Sequence, residues 1–235
     1  MSTAPPLPYG YSWTPAQSNS GRVTTSRTEV LQVAIAYLVL TFDLVLLLSG
    51  TGLLFGTNTS GAVYLVTPTI VVVAAAAALT GFVLHEMAHK IVAQRSGYWA
   101  EFRYSIIGLA ISVFTAIFGF LFAAPGATVV SGMTDARQWG RTALAGPTLN
   151  LVFGGTFYAA ALATFHAGAP AFTWLLLLAF VNCWFATFNL IPVGVLDGAK
   201  VMHWSKGVWA AVFVLAGAMA VVSWLALFWY GTPLL

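Results

Sequence analysis

Two histidines and a glutamate fall within five residues, at His85, Glu86 and His89, in the stretch LHEMAHK. On a helix, positions i and i+4 lie about 40° apart, so both imidazoles point to one side. The glutamate at i+1 sits within reach of the same locus without having to ligate. Two neutral imidazoles can bind zinc, and a carboxylate beside them can take a proton from attacking water. The pattern follows the apolar run TIVVVAAAAALTGFV. Ionisable residues are expensive in a membrane helix, so a functional reading is the default there. The bland alternative is hydrogen bonding between helices without a metal.

Zinc needs a third protein ligand. An extended motif with a third histidine close by is absent, because the next histidine after His89 is His166. The open candidates are Asp43, Glu101, Asp135, His166, Asp197 and His203. Asp197 lies in FNLIPVGVLDGAK, where Pro192 ends a helix and Gly194 loosens the chain. Non-helical backbone there can hold a carboxylate at the membrane face, and membrane topology favours Asp197.

These residues need a frame. The chain has 235 residues, 60% hydrophobic and 6% charged, against about a quarter charged in soluble domains. That implies an integral membrane protein embedded in a lipid bilayer. Apolar runs that can span lie at about 29–49, 68–95, 142–165, 171–191 and 207–230, with a further run at 105–123. Such runs argue for helices, because only helices and closed barrels satisfy backbone groups in lipid. The fold class expected is an all-α polytopic membrane protein with about five transmembrane helices. Residues 1–24 read as a flexible tail and 25–235 as the membrane domain. The net charge of +3 and the absence of a basic patch with interleaved aromatics argue against nucleic acid. Cys183 is single, so no disulfide can form within the chain, and it reads as a small buried hydrophobe.

The nine basic residues fall in four stretches: Arg22 and Arg27; Lys90, Arg95 and Arg103; Arg137 and Arg141; Lys200 and Lys206. The positive-inside rule makes these cytoplasmic, with the N-terminus inside a cell membrane. His85, His89 and Asp197 then approach the same face. The run 105–123 has cytoplasmic charges on both sides, so it must cross an even number of times. A re-entrant hairpin or a membrane-associated segment fits. Residues 123–132, AAPGATVVSG, read as a turn and a short strand.

HEMAH at 85–89, AGPTLN at 145–150 and NLIPVGVLDG at 189–198 lie on three spans. Together they resemble the site-2 protease family of intramembrane zinc metalloproteases over roughly residues 68–205. The resemblance implies one zinc ion held by His85, His89 and Asp197, with Glu86 as general base and acid. It implies that Asn189 helps to hold or polarise the substrate carbonyl, and that the substrate is a transmembrane protein. No stretch is long enough for a PDZ or CBS domain, so the chain is most similar to compact prokaryotic, particularly archaeal, members.

Asn182 and Asn189 share a helix face, and both are expected to face the bundle interior. Asn182 reads as a packing residue, whereas Asn150 could touch substrate or tie helices together. Pro147 suits a first helical turn. Asp43 reads as a carboxylate facing the bundle, with a role in gating as the sharper alternative. The segment Ala127–Ser131 is a candidate edge for pairing with substrate backbone. NTS at 58–60 matches a glycosylation acceptor. Two rivals remain: a membrane metalloprotease of another type, using a glutamate such as Glu101 as third ligand, and a metal transporter. A transporter calls for polar groups in series and inverted repeats, and the sequence has neither.

Overall fold

The computed structural model describes residues 21–50, 66–122, 124–165 and 171–230. Helix α1 is Arg27–Leu48. Helix α2, Pro68–Ala78, passes through a π-helical turn, Leu79–Val83, into α3, Leu84–Arg95. Strand β1 is Trp99–Tyr104, α4 is Ile106–Ile117 and β2 is Gly126–Ser131. Then come α5 (Ala136–Phe165), α6 (Ala171–Asn189), α7 (Asp197–Trp204) and α8 (Lys206–Tyr230). Among the described residues, five helical segments are long and apolar enough to cross a membrane: α1, α2 through α3, α5, α6 and α8.

Local chemistry sets the helix ends. Ser26 caps α1 by accepting from Glu29 N–H, and Thr67 caps α2 by accepting from Ile70 N–H, with Pro68 in the first turn. Both satisfy donors that a helix start leaves bare. Helix α5 begins at Ala136 rather than near residue 142, so Pro147 lies in its interior and not in a first turn. There the proline removes one rung of the helical ladder.

The segment after β1 turns back on itself. Helix α4 has 12 residues, about 18 Å at 1.5 Å per residue, which is too short to span. Ser105 N–H donates to Pro125 C=O at 2.8 Å, so the excursion leaves and returns at one place. A short helix that returns to its starting point is compatible with the expected re-entrant hairpin and with the expected membrane-associated segment alike. The expected short strand is β2. Its antiparallel partner is β1, with Phe102 opposite Thr128, a strand not anticipated from the sequence.

Small residues let the helices meet closely. Ala36 and Leu40 of α1 pack in one buried cluster with Val73, Ala74, Ala77 and Ala78 of α2. Gly154 of α5 sits against Cys183 of α6, where a β-carbon would collide with the sulfur. Cys183 is fully buried. Such small-residue contacts replace the hydrophobic drive that lipid cannot supply. The expected tail overlaps the described residues only at 21–24. Thr24 N–H donates to Gln94 Oε1 at 2.9 Å, and Gln94 Nε2 donates to Thr24 C=O at 3.1 Å. Residues 58–60 and His166 lie outside the described residues.

Candidate metal centre

The HEMAH stretch lies on α3, just past the π turn. Leu84 N–H bonds to Leu79 C=O, five residues back, instead of to Thr80 C=O. Asn150 of α5 occupies the gap: its Nδ2 donates to Thr80 C=O at 3.3 Å and to Gly81 C=O at 3.0 Å. A π turn beside a functional site is a recurrent arrangement. Asn150 Nδ2 also donates to Asn182 Oδ1 at 3.2 Å, and Asn182 Nδ2 donates to Thr80 Oγ1 and Leu178 C=O, each at 2.9 Å.

This network fixes the amide of Asn150. Its nitrogen faces three acceptors, so its Oδ1 faces His85 Nδ1, to which it is hydrogen-bonded. His85 Nδ1–H therefore donates, leaving a lone pair on Nε2. His89 Nδ1–H donates to Thr142 C=O of α5 at 2.7 Å, which leaves His89 Nε2 in the same state. Both lone pairs point to one locus, where the two Nε2 atoms lie 3.0 Å apart. Asp197 Oδ2 completes the triangle, 3.3 Å from His85 Nε2 and 3.0 Å from His89 Nε2.

Three buried acceptor atoms facing one another repel unless a cation lies between them. In a tetrahedral zinc site with ligands at about 2.0–2.1 Å, donor atoms lie about 3.3 Å apart. The observed edges approach that spacing, and the nitrogen and oxygen donors suit zinc. The wall is shaped for an ion too. A β-carbon on Gly146 of α5 would lie 2.5 Å from His89 Nε2 and 2.6 Å from His85 Nε2. His85, His89 and Asp197 are all buried.

Asp197 reaches the locus because α7 starts there, against the end of α6. Gly194 turns the connecting loop with φ of 57°, a conformation glycine adopts without strain. Lys200 Nζ, 3.3 Å from the other oxygen Oδ1, adds a counter-charge.

Glu86 stands beside the triangle, and its carboxylate can come within 4.8 Å of both histidine nitrogens. It is held from β2: Thr128 N–H donates to Glu86 Oε2 at 2.8 Å. Asn189, half-buried, donates to Phe185 C=O of its own helix at 3.0 Å. No hydrogen bond joins it to the triangle. None of the other described ligand candidates joins the triangle. Glu101 pairs with Arg103 and Asp135 accepts from Arg137 N–H, whereas Asp43 is fully buried on α1 with no hydrogen bond to either carboxylate oxygen. His203 is exposed. Sequence reasoning did not assign the Thr142 carbonyl, Thr128 or Lys200. Lys200 alone carried a signal, three residues after Asp197 on a helical turn.

A helical protein able to span a membrane, with two histidines and a carboxylate converging beside a glutamate, has the ligand set of a membrane metallohydrolase. The sequence is 35% identical over 136 residues to "Putative zinc metalloprotease MJ0611" of Methanocaldococcus jannaschii, covering 57% of this chain and 70% of that relative. It is 31% identical over 131 residues to "Putative zinc metalloprotease Rip3" of Mycobacterium tuberculosis, covering 53% of this chain and 28% of that relative. The chain belongs to this zinc metalloprotease family. No family model matches the chain, and no solved structure matches it.

Proposed function

We propose that the protein is a zinc-dependent endopeptidase that cleaves transmembrane segments of membrane-anchored substrates within the bilayer, near its cytoplasmic face. The observation that carries this reading is the triangle of His85 Nε2, His89 Nε2 and Asp197 Oδ2, with edges of 3.0 to 3.3 Å, on helices suited to a membrane. These three residues would hold one zinc ion. Zinc in such a site polarises a carbonyl and makes water acidic enough to attack at neutral pH.

The remaining steps belong to the chain. Glu86 takes the proton of the attacking water and returns it to the departing amine. Asn150 and the Thr142 carbonyl keep both imidazoles in the tautomer that presents Nε2. Asn189 turns its amide from Phe185 C=O to the substrate carbonyl oxygen as charge develops there. A helical substrate hides its carbonyls, so it unwinds locally and pairs with the edge of β2.

The depth follows from the sequence of α3. Six residues separate His89 from Arg95, about 9 Å of helix, which submerges the site yet leaves a short path for cytoplasmic water. The four basic stretches support a cytoplasmic N-terminus and a cell-membrane location. The deciding experiment uses a transmembrane peptide in proteoliposomes. Glu86→Gln is expected to keep zinc and lose cleavage, and Asp197→Ala to lose zinc. Full cleavage by Glu86→Gln would overturn the assignment.

A further inference from the structure

The small sheet has one closed edge and one open edge. In an antiparallel ladder, alternate residues turn their main-chain groups away from the partner strand. On β1 those are Ala100, Phe102 and Tyr104. Phe102 N–H donates to Glu29 Oε1 at 2.9 Å and Tyr104 N–H to Gln32 Oε1 at 3.2 Å. Ala100 C=O accepts from Gln94 Nε2 at 2.7 Å. Glu29 and Gln32 lie one turn apart on α1, so side chains of α1 and α3 stand where a third strand would pair. The register partners on β2 are Val130, Thr128 and Gly126, which face outward on the other side. Among the described residues no further strand pairs with them.

The middle of that open edge is already engaged. Thr128 N–H donates to Glu86 Oε2 at 2.8 Å. Thr128 Oγ1 lies 2.9 Å from Glu86 Oε2 and 2.9 Å from Glu86 C=O. The hydroxyl has one proton and two acceptors in reach, so it stays with Glu86 if the main-chain N–H is taken by something else.

We propose that Thr128 is a positioning residue that latches Glu86 in the peptide-free enzyme, and that an incoming peptide strand releases the latch. The strand takes the Thr128 N–H as it pairs with β2. Glu86 Oε2 loses that bond and becomes available to water, while the Thr128 hydroxyl keeps the carboxylate aimed. Peptide docking and arming of the base are then one event, and no free glutamate stands at the site before a peptide is bound. This rests on the reading of Glu86 as the general base.

The test uses zinc-loaded full-length protein in detergent, with fluorescein-labelled casein as an unfolded peptide probe. Amide hydrogen exchange reads the latch without activity. In Glu86→Ala the Thr128 amide is expected to exchange about tenfold faster than in the wild type, the equivalent of one hydrogen bond. The Val129 amide, which faces β1, is expected to stay unchanged. Adding casein is expected to restore protection at Thr128 in Glu86→Ala. In turnover, Thr128→Val is expected to lower kcat by about tenfold to a hundredfold, the cost of a misaimed group. Its KM and zinc content are expected to hold, and Thr128→Ser to recover the rate. Equal Thr128 exchange in wild type and Glu86→Ala overturns the latch, as does wild-type turnover or loss of zinc in Thr128→Val. Full turnover by Glu86→Gln instead overturns the base assignment, and the exchange result still decides whether Thr128 is held by Glu86.

Discussion

Gly198 packs directly on the Leu190 carbonyl: a β-carbon at position 198 would overlap both that carbonyl's oxygen and its carbon. The contact seats the first turn of α7 against the end of α6 and so places Asp197 beside the histidines. Both sides of the clash are backbone, which cannot swing away. Gly198→Ala is therefore expected to displace Asp197 and weaken zinc binding by at least the ~10–100-fold that loss of a supporting group costs. Competition with a chromophoric chelator checks this.

Gly146 offers a second lever with a different mechanism. A β-carbon there would lie 2.5 Å from His89 Nε2 and 2.6 Å from His85 Nε2, so Gly146→Ala is expected to push both imidazoles off the ion's place. Zinc content should drop sharply in metal analysis, and the overpacked wall is expected to cost the metal-free protein about 1–3 kcal/mol in thermal unfolding.

Asn150 supports His85 with its oxygen and three acceptors with its nitrogen. Asn150→Ala removes both functions and is expected to cost about 10–100-fold in zinc affinity. Asn150→Asp keeps an acceptor for His85 Nδ1–H but sets a carboxylate against the Thr80 and Gly81 carbonyls. It is expected to retain more zinc affinity than Asn150→Ala. Chelator competition on the two variants separates the roles.

Lys90 and Glu29 form a fully buried ion pair at 2.5 Å, with Thr25 Oγ1 2.8 Å from the ammonium. Removing one partner strands the other, and Lys90→Met or Glu29→Ala is expected to cost about 3–5 kcal/mol. The double variant Glu29→Gln with Lys90→Met is expected to recover much of that loss, because it removes both buried charges and keeps an acceptor for Phe102 N–H. Denaturation of the purified protein in detergent measures all three.

The spans were legible because lipid allows so few solutions: long apolar runs had to be helices, and charges had to collect at one face. The same reasoning placed Asp197 on the side of His85 and His89. Strand β1 was hidden because WAEFRY carries two charges and lacks a clean apolar alternation, although Ser96-Gly97 marks the turn before it. Its edge is satisfied by Glu29, Gln32 and Gln94, whose distance along the chain no local pattern reports. The start of α5 was misplaced because ARQWGR is polar, and hydropathy marks the lipid-facing stretch rather than the helix. Asn150 could not be assigned from sequence because its role depends on carbonyls that the π turn exposes.

That π turn also settles an aiming problem in the second membrane span. Ala74 and His85 are eleven residues apart, about three whole turns of a regular helix, so an uninterrupted α-helix would present both in nearly one direction. Yet Ala74 belongs to the cluster shared with α1, and His85 has to meet Asn150 on α5. One surplus residue in the turn rotates everything after it by roughly a quarter revolution. The surplus residue thus lets one continuous rod serve two neighbours, and a one-residue deletion there would swing the histidines away from their ligand partner without changing any of their chemistry.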